Sequence, residues 1–289
     1  MSEIVYGEYT KDQLDQLYSQ RQRIEGYDGY LKRWPAESAA ARETLGTVLD
    51  VAYGPGEAET YDVFPAGDGA PIQVFVHGGY WYSQDKTVFE SMAPAFVARG
   101  ATLISINYPL APSVTMTQLV ESCRRCLAHI FQNAEQWGSD PARLFVSGHS
   151  AGGHLAATLM STDWPSFDAA LPEDMAKGAI PISGLYDLEP IRQLTMNETL
   201  HLSEDEARNL SPILAVPPVA GSMTMAVGTN EGSEFTRQQE DYAAAWQAGG
   251  LACETLYLEG QNHFSIVDDY AKEGGTLFEA ACAQMGLGS

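Results

Sequence analysis

Along the chain, short apolar runs alternate with longer stretches whose apolar positions recur every three or four residues. The runs cover 72–76, 101–106, 143–147, 178–182, 223–227 and 253–258. Their length and β-branched content read as buried central strands. Helical spacing appears between them at about 87–98, 115–136, 151–161 and 234–248. This alternation predicts right-handed βαβ crossovers and a mostly parallel α/β sheet covered by helices on both faces. Open sheets of that kind hold ligands outside the carboxyl ends of their strands.

Three regions depart from the alternation. Residues 47–53 and 59–64 alternate apolar and polar around Gly54-Pro55-Gly56, which suggests antiparallel edge strands. Residues 1–45 read as an N-terminal helical arm, with Thr10 as a cap before Lys11-Asp12-Gln13 and with Leu14, Leu17 and Tyr18 at helical spacing. Its tyrosines and Trp34 are expected to pack on the main body, and the arm could also lie over a site entrance. Residues 184–217, too long for a bare loop, are expected to hold short helices forming a partial lid. The whole chain, 1–289, reads as a single domain with these excursions.

The chemistry centres on 143–160, where a buried-strand pattern runs through a glycine-flanked serine into a helix pattern. Gly148-His149-Ser150-Ala151-Gly152 fits G-x-S-x-G, the nucleophile elbow, in which a strained strand-to-helix turn exposes the serine at the top of the sheet. Upstream, the strand at 72–76 ends in His77-Gly78-Gly79-Tyr80-Trp81. A glycine pair there lets backbone N–H groups point into a site, so Gly79 and Tyr80, with Ala151 after the serine, are the expected oxyanion donors. His77 and Gly78 are expected to support that loop.

A serine hydroxyl needs a base and an orienting carboxylate. Of six histidines, His129 lies mid-helix, His149 and His154 flank the serine, His201 falls in the lid segment and His77 supports the loop. His263, in the Gly-bearing loop after the last strand, completes the order serine, acid, histidine. The acid should follow the strand at 223–227, where Glu231 is the first choice. Glu234 opens the next helix, where the dipole already favours a carboxylate. Asp187 and Asp268 are outside candidates. Trp81, Tyr82, Tyr186 and Phe264, beside Tyr80, are the expected lining of an aromatic substrate pocket.

Together, His77-Gly-Gly-Tyr-Trp81, Asn107-Tyr-Pro-Leu-Ala-Pro112, Gly148-His-Ser-Ala-Gly-Gly-His-Leu-Ala156, Gly-Ser-Glu-Phe235 and His263-Phe264 resemble the arylformamidase (kynurenine formamidase) branch of the α/β-hydrolase esterase and lipase superfamily. The similarity extends to Tyr9–Asp15 and Leu49–Pro55, and so covers nearly the whole chain. It implies the α/β-hydrolase fold, with Ser150 as nucleophile, His263 as base and Glu231 where the family carries an aspartate. By analogy it also implies a possible homodimer. Glu231 is one methylene longer than that aspartate. Gly153 stands where an alanine is common, a change expected mainly to loosen helix packing. The His-rich signature of metal-dependent formamidases is missing, so no metal is implied.

Composition narrows the partners. With 16 Lys plus Arg against 38 Asp plus Glu, the formal charge is −22, a field that repels nucleic acid and anionic membranes. No run of about 18 apolar residues occurs, and the N-terminus lacks signal-peptide character, so a cytoplasmic location is expected. Four cysteines without zinc-like spacing read as free thiols. The expected function is cofactor-independent serine hydrolysis of a small acyl group, formyl included, on an aryl amide or ester. A general small-acyl carboxylesterase is the alternative, and a non-catalytic binding protein on the same fold is the third class.

Overall fold

The computed structural model describes residues 3–217 and 221–288. The arm opens with a small hairpin, β1 (Ile4–Tyr6) and β2 (Tyr9–Thr10), followed by α1 (Lys11–Tyr18), α2 (Gln20–Arg23) and α3 (Tyr27–Thr44). Thr10 caps α1 through a reciprocal capping box with Gln13. The hairpin was not evident from periodicity, because strands of two or three residues carry almost none.

The main body contains β3 (Val48–Ala52), β4 (Thr60–Phe64), β5 (Ala70–Val76), α4 (Ala93–Ala98), β6 (Thr102–Ile106), α5 (Met116–Asn133), β7 (Ser139–His149), α6 (Ala151–Met160), α7 (Trp164–Phe167) and β8 (Gly178–Ile182). The insertion holds α8 (Glu189–Arg192), α9 (Asn197–Leu200) and α10 (Glu204–Asn209), the short helices expected there. The chain finishes with β9 (Ser222–Gly228), α11 (Ser233–Ala248), β10 (Cys253–Leu258), α12 (Ser265–Tyr270) and α13 (Thr276–Gln284).

These strands form one eight-stranded sheet in the order β3-β4-β6-β5-β7-β8-β9-β10. Pairing is parallel from β6 to β10, and β4 runs antiparallel to both β3 and β6. The chain therefore has the α/β-hydrolase fold, with α5 and α6 on one face and α4, α12 and α13 on the other. Of the two strands expected at an edge, β3 is one and β4 is interior, contrary to the expectation for 59–64. Its alternation is explained by Asp62, which is buried because Lys86 Nζ donates to it at 2.8 Å, rather than because it faces water. In the parallel register Val76, Gly148 and Pro181 stand abreast. The loops after β5, β7, β8, β9 and β10 thus leave the sheet at one edge.

The arm is anchored at its far end by polar contacts around a buried carboxyl. Arg42 of α3 pairs with Glu90, which is fully buried. Ser38 of the same helix receives the Glu90 and Ser91 amides at 2.9 and 3.1 Å. Burial, reinforced by Asp62, pushes the Glu90 carboxyl up to about 8. The folded protein therefore holds a proton that the unfolded chain, with a carboxyl near 4.5, releases. That contribution to stability is complete below the unfolded value and is lost as pH rises through about 8. Urea midpoints measured across this window should fall with rising pH, and Glu90→Gln should flatten that part of the profile. An unaltered slope in the variant would place the titration elsewhere.

Candidate active site

Ser150 sits at the β7–α6 junction with φ 59° and ψ −119°, a conformation costing about 1–3 kcal/mol that the surroundings must enforce. They do so by close approach. The Ser150 amide donates to Ile182 O at 2.8 Å, and a Cβ at Gly152 would lie 2.0 Å from Val76 O. Gly153 is constrained less severely: a Cβ there would come within 2.9 Å of both Gly184 Cα and Ile182 O. It therefore lets α6 press onto the end of β8, which corrects the expectation that it loosens packing.

The loops after β9 and β10 bring Glu231 and His263 together. Glu231 Oε2 lies 2.6 Å from His263 Nδ1, and Glu231 is fully buried. Its Oε1 accepts from Ser183 Oγ at 2.6 Å and from the Gly228 amide at 2.7 Å. The two loops are laced to each other: Asn230 bonds Gln261 and Gly260, and the Gly260 amide bonds Thr229 Oγ1. Asn262 then accepts from the amides of Phe264 and Ser265, fixing the backbone on either side of His263. The remaining carboxylates are occupied elsewhere. Glu234 accepts from Tyr18 and pairs with Arg237. Asp187 accepts from Tyr6, and Asp268 from Trp34 and Arg33.

Opposite the serine, Gly79, Tyr80 and Trp81 all adopt positive φ. Among the described residues, no protein acceptor takes the amides of Gly79, Tyr80 or Ala151. His77 is buried, stacks on Tyr108 with ring centroids 4.2 Å apart, and bonds Gly78 O and Asn107. Burial draws its imidazole down to about 4, so it is a neutral brace for the loop. His154 is held down to about 4 in the same way, between Trp81 and Leu210 O. His129 bonds Tyr61.

A cavity of about 400 Å³ opens over these groups, and Ser150, His149, His263, Gly79 and Tyr80 line its floor. Tyr82 and Phe264 line it as expected. Trp81 and Tyr186, also expected there, do not: both are fully buried in the core, Trp81 donating to His154 and Tyr186 stacked on Tyr242 at 4.5 Å. The missed lining comes from the arm. Tyr18 to Gln22, Leu31 and Trp34 form the roof, with Thr195 and Met196 contributed by the insertion. Trp34, Tyr27 and Tyr30 gather on Phe264 at 5.8–6.1 Å, so the aromatic spacing of the arm was the available signal. Among the described residues, no group of three or more His, Cys, Asp or Glu is arranged to hold a metal, and no helix is long and apolar enough to cross a membrane.

Comparisons with known proteins bear on this geometry. The BD-FAE family model matches residues 63–227. Kynurenine formamidase of Danio rerio is 31% identical, over 96% of this chain and 97% of its own. A crystal structure of a provisionally assigned thioesterase from Silicibacter sp. TM1040 superposes with a TM-score of 0.81 at 28% identity, covering 92% of this chain and 97% of that one. The thermostable carboxylesterase EstE1, from a metagenomic library, shares the fold with a TM-score of 0.72 at 20% identity, over 93% and 98%.

The contacts around Gly153 have a measurable consequence. Gly153→Ala should destabilise by about 1–3 kcal/mol, since backbone atoms rather than a yielding side chain meet the added methyl. Chemical denaturation checks this. A neutral or stabilising effect, as better helix propensity alone would give, would mean that α6 does not press on β8 as described.

Proposed function

The chain belongs to the BD-FAE family of α/β-hydrolases, on its kynurenine formamidase branch, and from that premise we propose that it is a serine hydrolase acting on small acyl groups, formyl foremost, attached to an aryl amine or alcohol. The observation that carries the reading is the gathering of the strained Ser150, His263, Gly79 and Tyr80 on one cavity floor, with the buried Glu231 bonded to His263 Nδ1 and, among the described residues, no protein acceptor on the amides of Gly79, Tyr80 and Ala151.

In this reading His263 Nε2 takes the proton as Ser150 Oγ attacks the carbonyl carbon, while Glu231 fixes the tautomer with Nδ1–H toward itself and stabilises the imidazolium. The amides of Gly79, Tyr80 and Ala151 receive the charge that develops on the carbonyl oxygen. The C–N or C–O bond then breaks as His263 returns the proton to the leaving group. Water, deprotonated by the same histidine, next attacks the acyl-serine, and the acid is released with Ser150 Oγ reprotonated. No cofactor enters the cycle. The cavity favours an aryl leaving group because Phe264, Trp34, Phe89 and Tyr82 border it. A formyl carbon carries only hydrogen, so it makes the smallest demand on space beside Tyr80.

Ser150→Ala should lower kcat by about three powers of ten or more with the fold retained, and a fluorophosphonate should label Ser150. Label on another residue, or full activity in the variant, would sink the mechanism. Glu231→Gln should approach a loss of about 10⁴. Glu234→Gln should instead lower stability while sparing most turnover, because its partners are Tyr18 and Arg237. The reverse ranking would reassign the acid. For the substrate, kcat/KM for N-formyl-kynurenine should lie within about tenfold of that for 4-nitrophenyl acetate and well above that for the octanoate. An undetectable formamide rate with longer acyl esters preferred would make the protein a general carboxylesterase.

A further inference from the structure

Some polar groups around the cavity mouth are held within the protein. Asp15 accepts from the Thr195 amide and hydroxyl at 2.8 and 2.6 Å, and Gln20 Nε2 donates to Glu231 O at 2.8 Å. The Tyr80 hydroxyl donates to Tyr18 O at 2.5 Å, and Ser83 Oγ to Gly79 O at 2.8 Å. Arg21 is different. It stands on α2 in the roof, lines the cavity and is exposed, yet among the described residues its guanidinium has no hydrogen bond and no ion pair. In a chain of formal charge −22, guanidinium groups such as those of Arg33, Arg99 and Arg237 are held by carboxylates. Arg23, its neighbour on α2, packs its guanidinium against Gly232 beside the Glu231 loop.

The overall field of the protein repels anions, so an anionic substrate needs a local cation where it enters. A planar guanidinium free of protein partners is suited to a bidentate carboxylate. Leu31, Trp34 and Phe264 supply an apolar wall of the same cavity, against which an aryl ring could lie.

We propose that Arg21 is a specificity-determining residue that receives a carboxylate on the leaving-group side of the substrate, so that acidic aryl amides and esters are preferred over neutral ones. This rests on the hydrolase reading above, and the test separates the two.

The substrates are the acetate ester of a hydroxyphenylpropanoic acid and that of its primary amide, identical in ring and scissile bond. The wild-type protein should favour the carboxylate by about tenfold to a hundredfold in kcat/KM, mainly through KM, with the preference shrinking as salt is added. Arg21→Ala should remove the preference, Arg21→Lys should keep part of it, and Arg21→Glu should invert it. A wild-type protein that hydrolyses both esters alike, or a preference that survives in Arg21→Ala, overturns this proposal and leaves the hydrolase reading standing. Wild-type protein inert on both esters and on N-formyl-kynurenine overturns both. The salt dependence of the wild type and the lysine variant give a result even if the alanine or glutamate variant folds poorly.

Discussion

Glu231 is a carboxylate buried without access to water, and the arrangement of the site follows from the need to satisfy it. An isolated charge in such a place would be very costly, whereas one that is fully hydrogen-bonded can be tolerated. Its three partners come from three different strand ends: Ser183 after β8, the Gly228 amide closing β9, and His263 after β10. Meeting them requires β8, β9 and β10 to end in register. The parallel pairing of Ile182 with Ala226 and of Leu258 with Gly228 supplies this. The same β8 terminus accepts the Ser150 amide through Ile182 O, so the elbow and the carboxylate are referred to one piece of backbone.

The arm is tied to this core rather than simply laid over it. Gln20 donates to the carbonyl of Glu231 itself, and the Tyr18 hydroxyl donates to Glu234 while receiving Gln238. Gln238 in turn accepts the amides of Tyr186 and Asp187 at the head of the insertion. Arm, insertion and acid loop therefore form one polar network, whose members depend on one another. Loosening the roof would withdraw a hydrogen bond from the residue that orients the imidazole. In this arrangement substrate access and the geometry of the Glu231–His263 pair are coupled.

How much of this was visible beforehand depended on distance along the chain. The six central strands and the elbow were legible because their signals are local: apolar runs of fixed length, and two glycines flanking a serine. His263 and Glu231 followed from loop position and chain order, and the structure brings the two within hydrogen-bond distance. The roles of Trp81, Tyr186 and Asp62 were not legible. An aromatic residue in a glycine-rich loop has the same local sequence whether it turns inward to His154 or outward to solvent, and an alternating strand looks amphipathic even when a distant lysine neutralises its polar residue. The roof was hidden for the same reason, since contacts between residues 18–34 and residues 231–268 span more than 200 positions.

The residue that departs from the family resemblance shows how such distant terms act together. A glutamate at 231 reaches one methylene further than the aspartate expected there, and the loop must take up that length. Here the loop turns back at once, the Glu231 amide bonding Gly228 O at 3.2 Å while Oε1 returns to the Gly228 amide. The longer side chain is thus folded over its own turn, with Ser183 closing on Oε1 from β8 and Oε2 left for His263. Tight space supports this placement, since a Cβ at Gly228 would lie 2.4 Å from Gln261 O and 3.1 Å from Glu231 Oε1. Side-chain length, the bareness of Gly228 and the hydroxyl of Ser183 are therefore parts of one solution. A shorter acid introduced alone would have to give up either the turn or the histidine.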